Sequence, residues 1–438
     1  MNRQILRLAI PNIISNITIP LLGLISTAIA GGLGSDAAIG AIGLGASIFN
    51  FLYWNCAFIR MGTSGMTAQA FGARDFRECA NLLVRSMVVA LSIAALLIVF
   101  QKPLGNGAIW LMRVGHAGEN VRSMVAEYFF ARIWAAPATV SLYAIMGWFI
   151  GMQNSKIPMY IAIAINLISI LFSLLFVYKF GMGVAGIAYG TVVAQYSGLL
   201  IAAIFWLAYY RRFIKYVDMR ASLRLKPMMR FFNVNKDIFL RTFFNVSVYT
   251  FFPLTSAVYG QTILATNNIL IQLFTFYSYM SDGFGYAAEA LTGKFIGAKS
   301  YATLRKSIIY MFWWCLGVAV CFTIIYALFS AKILGLFQAS SAVLACAHEH
   351  IGWVIAVPLL GFTPFLMDSI LIGATKTKIL RDSMFISTIA FYVLYYSFVG
   401  TLGNNALWMS LTLFLVFRAV SQYLMSNRLE GLMWHKKG

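Results

Sequence analysis

Apolar runs of about 20 residues or more recur along the whole chain, separated by short polar or basic stretches. A helix of that length crosses the hydrocarbon core of a bilayer. The runs fall at 5–30, 38–70, 79–101, 120–150, 156–178, 182–210, 236–259, 263–296, 303–330, 347–374, 379–400 and 404–427. The pattern predicts an all-α integral membrane protein with about twelve transmembrane helices. The longest loop within the series, Tyr210 to Asn235, is basic and polar and splits the runs six and six. The expected organisation is an N-lobe over 1–212, a basic cytoplasmic linker over 213–235 and a C-lobe over 236–438.

The two halves share a phrase. FIRMGTSGMTAQAFGARD, Phe58 to Asp75, returns as DGFGYAAEALTGKFIGAKS, Asp282 to Ser300. Aligning Phe71 with Ile296 gives a shift of 296 − 71 = 225 residues. Thr67 then meets Thr292, Gln69 meets Lys294, and Gly72 meets Gly297. A weaker echo links WAAPATVSLYAIMGWFIGMQNSK with VIAVPLLGFTPFLMDSILIGATKTK. An internal duplication follows. Six spans per half give both halves the same orientation, so they are expected to be related by a pseudo-twofold axis along the membrane normal. A cavity between two such lobes is the architecture of a secondary carrier, which works by alternating access.

Composition agrees with the runs. The chain is 61% hydrophobic and 11% charged over 438 residues, far too apolar for a soluble protein of this size. Its net charge of +20 could suggest nucleic acid, but the positions of the charges argue otherwise. Basic residues gather in alternate loops: Arg3 and Arg7, Arg74 and Arg77, Lys156, the cluster from Arg211 to Arg230, Lys299 with Arg305 and Lys306, Lys376 to Arg381, and Arg428 with Lys436 and Lys437. The loops between them, GGLGSD, YGQT and TLGNN, carry no Lys or Arg. This positive-inside alternation predicts a multi-pass protein of the inner (cytoplasmic) membrane with both termini cytoplasmic and no nucleic-acid partner. The first run has no small-residue cleavage site and is read as an uncleaved span.

Nothing points to catalysis. The five cysteines show no metal spacing, and HEH at His348–His350 lacks the four-residue separation of a zinc helix. No GxxxxGK[ST] loop is present, and no nucleophile stands beside a base. The chain is expected to be no enzyme and to hold no cofactor and no metal.

Ionisable groups within spans are the functional candidates, because each is expensive there. Among only 13 acids, Asp282 and Glu289 lie seven apart on one face of the eighth run, and Asp368 sits in FLMDSILIG of the tenth. Arg60 lies in the second run and Lys294 near the end of the eighth. Arg132, Arg241 and Arg418 lie in the fourth, seventh and twelfth. For Lys294, Arg241 and Arg418 two readings stand: a functional charge, or a side chain snorkelling to the headgroups. Glu127 and Arg132 read as a local pair.

The phrases LRLAIPNIISNITIPLLGLISTAIAGGLGSDAAIGAIGLG, FIRMGTSGMTAQAFGARD, DGFGYAAEALTGKFIGA and MDSILIGATKTK resemble the multidrug and toxic compound extrusion (MATE) family, in the branch of the DNA-damage-inducible protein F type. The resemblance runs through essentially the whole chain. It implies antiport of H+ or Na+ against small organic, cationic solutes, with lobes that rock in the lipid bilayer and a monomer as the working unit. The chain departs from the family where VDT is usual in the first span and Ile25-Ser26-Thr27 stands instead, and GGLG replaces GHLG. The N-lobe acid that the resemblance would supply is therefore a hydroxyl, which cannot exchange a proton near neutral pH. The expected substrate or ion site combines Asp282, Glu289 and Asp368 with Lys294 and Arg60 as charge partners. Asn16, Ser26, Gln69 and Asn166 are expected to line the N-lobe. The rival readings are a flippase of lipid-linked precursors in the same superfamily, which would favour a cationic cavity, and a membrane-embedded lipid transferase, which would need clustered Asp or His. A non-transporting relative is a further reading, since the span-one acid is missing.

Overall fold

A computed structural model describes residues 1–32, 36–114, 118–337 and 339–427, and among these there is no strand. Arg428, Lys436 and Lys437, and the Leu33–Ser35 part of GGLGSD, lie outside the described residues. The N-terminal half runs α1 (Asn2–Gly31), α2 (Asp36–Cys56), α3 (Phe58–Gly72), α4 (Phe76–Val99), α5 (Gln101–Val114), α6 (Glu119–Arg132), α7 (Ala136–Gly151), α8 (Lys156–Leu174) and α9 (Gly183–Tyr210). A short α10 (Met219–Ser222) lies in the linker. Then follow α11 (Leu225–Val258), α12 (Gln261–Gly297), α13 (Tyr301–Gly335), α14 (Ser341–Gly373), α15 (Thr377–Leu402) and α16 (Asn404–Asn427).

Helix is the expected outcome, since hydrocarbon offers no partner to a backbone N–H or C=O and each must be satisfied within its own segment. Among the described residues ten helical segments are long and apolar enough to cross a membrane; α2 with α3, and α6 with α7, each count as one. The 34-residue α11 and 37-residue α12 carry more polar residues and complete twelve passes. Two features differ from the apolar-run reading. The fourteen-residue α5 fills what reads as a loop between the third and fourth runs. The linker is also structured, because α11 begins at Leu225 and a turn over Arg211–Tyr216 precedes α10.

The chain forms two compact units. The N-terminal unit holds Ile14–Phe71 and Asp75–Phe232; the C-terminal unit holds Met1–Ile13, Gly72–Arg74 and the chain from Asn233 on. Each unit repeats the same helix contact. In the N-terminal unit, a Cβ on Gly151 of α7 would lie 2.8 Å from the Ser64 carbonyl oxygen of α3, and one on Gly147 would lie 2.4 Å from that of Arg60. In the C-terminal unit, a Cβ on Gly373 of α14 would lie 2.3 Å from the Glu289 carbonyl oxygen of α12, and one on Gly285 would lie 2.6 Å from Ser369 Oγ. The α3 and α12 partners correspond at 289 − 64 = 225 and 285 − 60 = 225, and the α7 and α14 partners at 373 − 151 = 222 and 369 − 147 = 222. At the second contact the glycine has changed sides, from α7 in one unit to α12 in the other. The close approach persists because one partner of each pair stays small.

The helix exits repeat too. Asp75 N–H donates to Ala70 O, Ser300 to Phe295, Asn154 to Phe149 and Lys376 to Leu371, all six-to-one closures of a helix end at 2.9–3.0 Å. The residue before each donor is left-handed: Arg74, Lys299, Gln153 and Thr375 have φ of 54–63°. A non-glycine residue pays roughly 1–2 kcal/mol for that conformation. The turn behind the shared G-A-basic exit is therefore built four times, with Gln153 and Thr375 taking the left-handed place of the basic residue in two of them.

Candidate functional site

In the C-terminal unit a buried charge cluster centres on Asp368, on α14 and 4% exposed. Arg241 of α11 and Arg418 of α16 both donate to its Oδ2, and Gln422 donates to its Oδ1. Arg418 Nε also donates to Oδ1 at 3.2 Å. Arg418 is 1% exposed and Gln422 fully buried, one turn apart on α16, so that one helix face presents both to the carboxylate. The Arg418 guanidinium additionally lies 5.6 Å from the centre of the Phe365 ring on α14. Three helices are thus clasped at a single carboxylate.

At Asp368 the charge partners are arginines. Asp368 is paired with Arg241 and Arg418 rather than with Lys294, and neither arginine of the clasp snorkels to a headgroup. The reason is distance along the chain: the partners are 127 and 50 residues from Asp368, and only tertiary packing brings them together. Asp282, half-buried on α12, lies within electrostatic reach of Arg241. Glu289, 1% exposed, sits where Gly373 meets α12, and Lys294 is half-buried near the end of the same helix.

In the N-terminal unit Asn16 of α1 is buried, Ser26 half-buried and Thr27 exposed. Asn166 Nδ2 of α8 donates to the Thr18 carbonyl of α1 at 3.3 Å, which sets α8 beside the Asn16 turn. Arg60 and Gln69 are half-buried on α3. The local pair expected of Glu127 and Arg132 does not form. Residues five apart do not share a helix face, and Arg132 instead donates to the Tyr128 hydroxyl, its guanidinium 5.0 Å from the centre of the Phe49 ring.

Several polar groups escaped the sequence reading. Arg85, 2% exposed in α4, makes a forked pair with Glu78 at 2.6 and 3.0 Å and donates through Nε to the Ser222 carbonyl at 2.9 Å. A lone arginine in NLLVRSMVVALS with a glutamate two turns earlier was the available signal. In the C-terminal unit Asn267 donates to Ser256 at 2.8 Å and to Asn404 at 2.7 Å, and accepts from Trp408 at 2.9 Å. Asp237 of α11 accepts from Arg381 at 2.6 Å and Thr377 at 3.2 Å, both on α15. These networks satisfy buried polar groups and join helices, as a membrane bundle requires. Among the described residues no group of three His, Cys, Asp or Glu side chains could hold a metal ion, and His350 bonds its own helix at the Cys346 carbonyl, 2.9 Å away.

Comparison with known proteins agrees with this architecture. A family model described as MatE matches twice, over residues 11–175 and 238–399, one block in each half. The chain is 32% identical to DNA damage-inducible protein F of Escherichia coli (strain K12) over 433 residues, covering 96% of this chain and 91% of that protein. It is 23% identical to a probable multidrug resistance protein NorM of Neisseria meningitidis serogroup B, over 96% of this chain and 92% of that one. Among solved structures it is similar to a MOP superfamily transporter from Pyrococcus furiosus, with a TM-score of 0.86 at 20% identity over 97% of this chain and 95% of that one.

Proposed function

The chain belongs to the MatE family of membrane transporters, and on that premise we propose that it exports small organic solutes in exchange for H+ or Na+. The two six-helix lobes rock to open the solute path to either side in turn, with both termini on the cytoplasmic side of the inner membrane and one copy of the chain as the working unit. It acts without catalysis, and the ion gradient supplies the driving force.

The observation that carries the coupling half of this reading is the burial of two carboxylates, Glu289 at 1% and Asp368 at 4% exposure, in a unit built from apolar helices. An unneeded carboxylate at the centre of a span costs about 2.5–3.5 kcal/mol on insertion scales. We read the two as doing different work. Asp368 is engaged by two guanidiniums and an amide, so it fixes α11, α14 and α16 and positions the others. Glu289 and Asp282, seven residues apart on one face of α12, are the acids we assign to take up and release the coupling ion. Ser26 gives the N-terminal unit a hydroxyl at the family's usual acid position, which places the burden on the C-terminal unit.

One observation favours a second reading. Arg241 and Arg418 bring two guanidiniums to a single carboxylate, and such a cluster suits a solute with an anionic group, as a lipid-linked precursor has. Proteoliposomes separate the readings: imposed H+ and Na+ gradients are tested one at a time against a cationic dye and an anionic solute. Uptake of the dye under one gradient supports cation-coupled export. Uptake of the anionic solute alone supports the second reading, and uptake of either solute without a gradient removes coupling.

A further inference from the structure

The linker between α9 and α11 is usually the least informative part of such a chain, yet here it is built against α4. Asp218 N–H donates to Asn81 Oδ1 at 3.1 Å, and Ser222 O accepts from the buried Arg85. The Phe76 ring of α4 meets Phe213 edge-on at 5.8 Å and Tyr216 at 6.2 Å. The result is a cleft of about 490 Å³ lined by Arg77, Lys215, Tyr216, Val217, Asp218, Met219 and Arg220.

Its charges do not cancel. The one carboxylate, Asp218, already accepts from Arg77 at 2.8 Å and from the Ala221 N–H at 2.9 Å. Among the described residues no carboxylate pairs with Lys215 or Arg220. Lys215 Nζ instead lies 4.9 Å from the centre of its neighbour Tyr216's ring. The cleft therefore offers two uncompensated cations, Lys215 and Arg220, beside the Arg77–Asp218 pair. Apolar side chains stand in the open at it and next to it in the chain: Met219 of the lining is 55% exposed, and Ile214, preceding Lys215, is 50% exposed. Because the segment joins two spans, it lies at the membrane boundary, where exposed apolar side chains enter the headgroup layer and cations meet phosphates.

We infer that this cleft is a binding site for the phosphate of an anionic phospholipid headgroup, held by Lys215 and Arg220 while Ile214 and Met219 lie against the glycerol-proximal part of the acyl chains. Free phosphate shares the charge chemistry but gains nothing from the apolar rim, which is why the lipid is the favoured source. A cation beside an anionic surface is worth roughly fivefold in affinity, so removing both should cost about twenty-five-fold.

The test uses the full chain in phosphatidylcholine nanodiscs containing a minor fraction of spin-labelled phosphatidylglycerol, reading the motionally restricted lipid. Lys215→Gln with Arg220→Gln is compared with Arg211→Gln with Arg212→Gln, which removes the same charge just outside the cleft. Thermal unfolding confirms that both stay folded, as expected of exposed side chains. The inference predicts loss of restricted phosphatidylglycerol in the first variant only, with inorganic phosphate a weak competitor. Equal loss in both variants would reduce the effect to a diffuse basic field. No loss in either, or full displacement by inorganic phosphate at an affinity matching the lipid's, would overturn the lipid assignment.

Discussion

Replacing Asp368 by asparagine keeps the shape of the side chain and removes the charge that two buried guanidiniums share. Arg418 is 1% and Arg241 9% exposed, so neither reaches water without moving its helix. Removing one partner of a buried ion pair typically costs 3–5 kcal/mol, because the charge left behind stays desolvated. Two terms pull the figure down here. The amide oxygen that the substitution leaves can still accept one hydrogen bond, worth about 1 kcal/mol. The unfolded chain within a membrane also finds partners for its polar groups. About 3 kcal/mol remains. For a unit of roughly 200 residues this lowers the unfolding midpoint by about 6–12 °C. The assay is thermal unfolding of the purified protein in detergent, run as a double-mutant cycle with Arg418→Gln. Because the two groups share one network, the double variant should be less destabilised than the sum of the single ones, by at least about 1 kcal/mol. An Asp368→Asn midpoint within about 1 °C of the parent, or strict additivity, would show that the clasp does not hold the unit together.

Gly373→Ala places a methyl 2.3 Å from a backbone oxygen and is expected to destabilise the C-terminal unit by about 1–3 kcal/mol, whereas Gly317→Ala, with nothing within 4 Å, should be neutral or mildly stabilising; thermal unfolding compares the two. Ser26→Asp should strengthen the proton dependence of transport, since it restores a titratable group on α1; an unchanged pH profile in proteoliposomes would place coupling wholly in the C-terminal unit. The Ala221 N–H first, and then Arg77, hold the Asp218 carboxyl below the usual carboxylate range. A depressed folded-state value means that its contribution is present above the unfolded value of about 3.9 and is lost as pH falls through the lower folded one. Protease resistance of the linker should therefore be constant from neutral pH to about 5 and fall only in strong acid, and in Asp218→Asn it should be reduced at every pH.

The parts of the fold visible in the chain were those set by local rules. Bilayer thickness fixes the length of each apolar run, so most passes appear within a few residues, α11 with its early start at Leu225 excepted, and the repeated FGARD and IGAKS phrases correspond to repeated helix exits. Burial of Glu289 and Asp368 was legible for the same reason, since mid-run acids have nowhere else to go. What stayed hidden was pairing. Arg241 and Arg418 look alike whether they snorkel or turn inward, and the choice depends on a carboxylate 127 and 50 residues away. The Asn267–Asn404–Trp408 network was invisible because each member alone is an ordinary polar residue near a helix end. The exchange of small residues at the repeated contact, Gly147 against Arg60 but Ser369 against Gly285, also weakens the repeat in sequence while the backbone approach is kept.

The central claim, that solute export is coupled to an ion through acids of the C-terminal unit, is tested most directly by separating exchange from accumulation in one variant. Purified Glu289→Gln is reconstituted in proteoliposomes, and solute uptake is followed both under an imposed ion gradient and as exchange against unlabelled solute with no gradient. The account predicts that gradient-driven accumulation disappears while exchange continues, because the solute path survives and only the ion carrier is lost. Accumulation at the parent rate in Glu289→Gln, and again in Asp282→Asn, would contradict it.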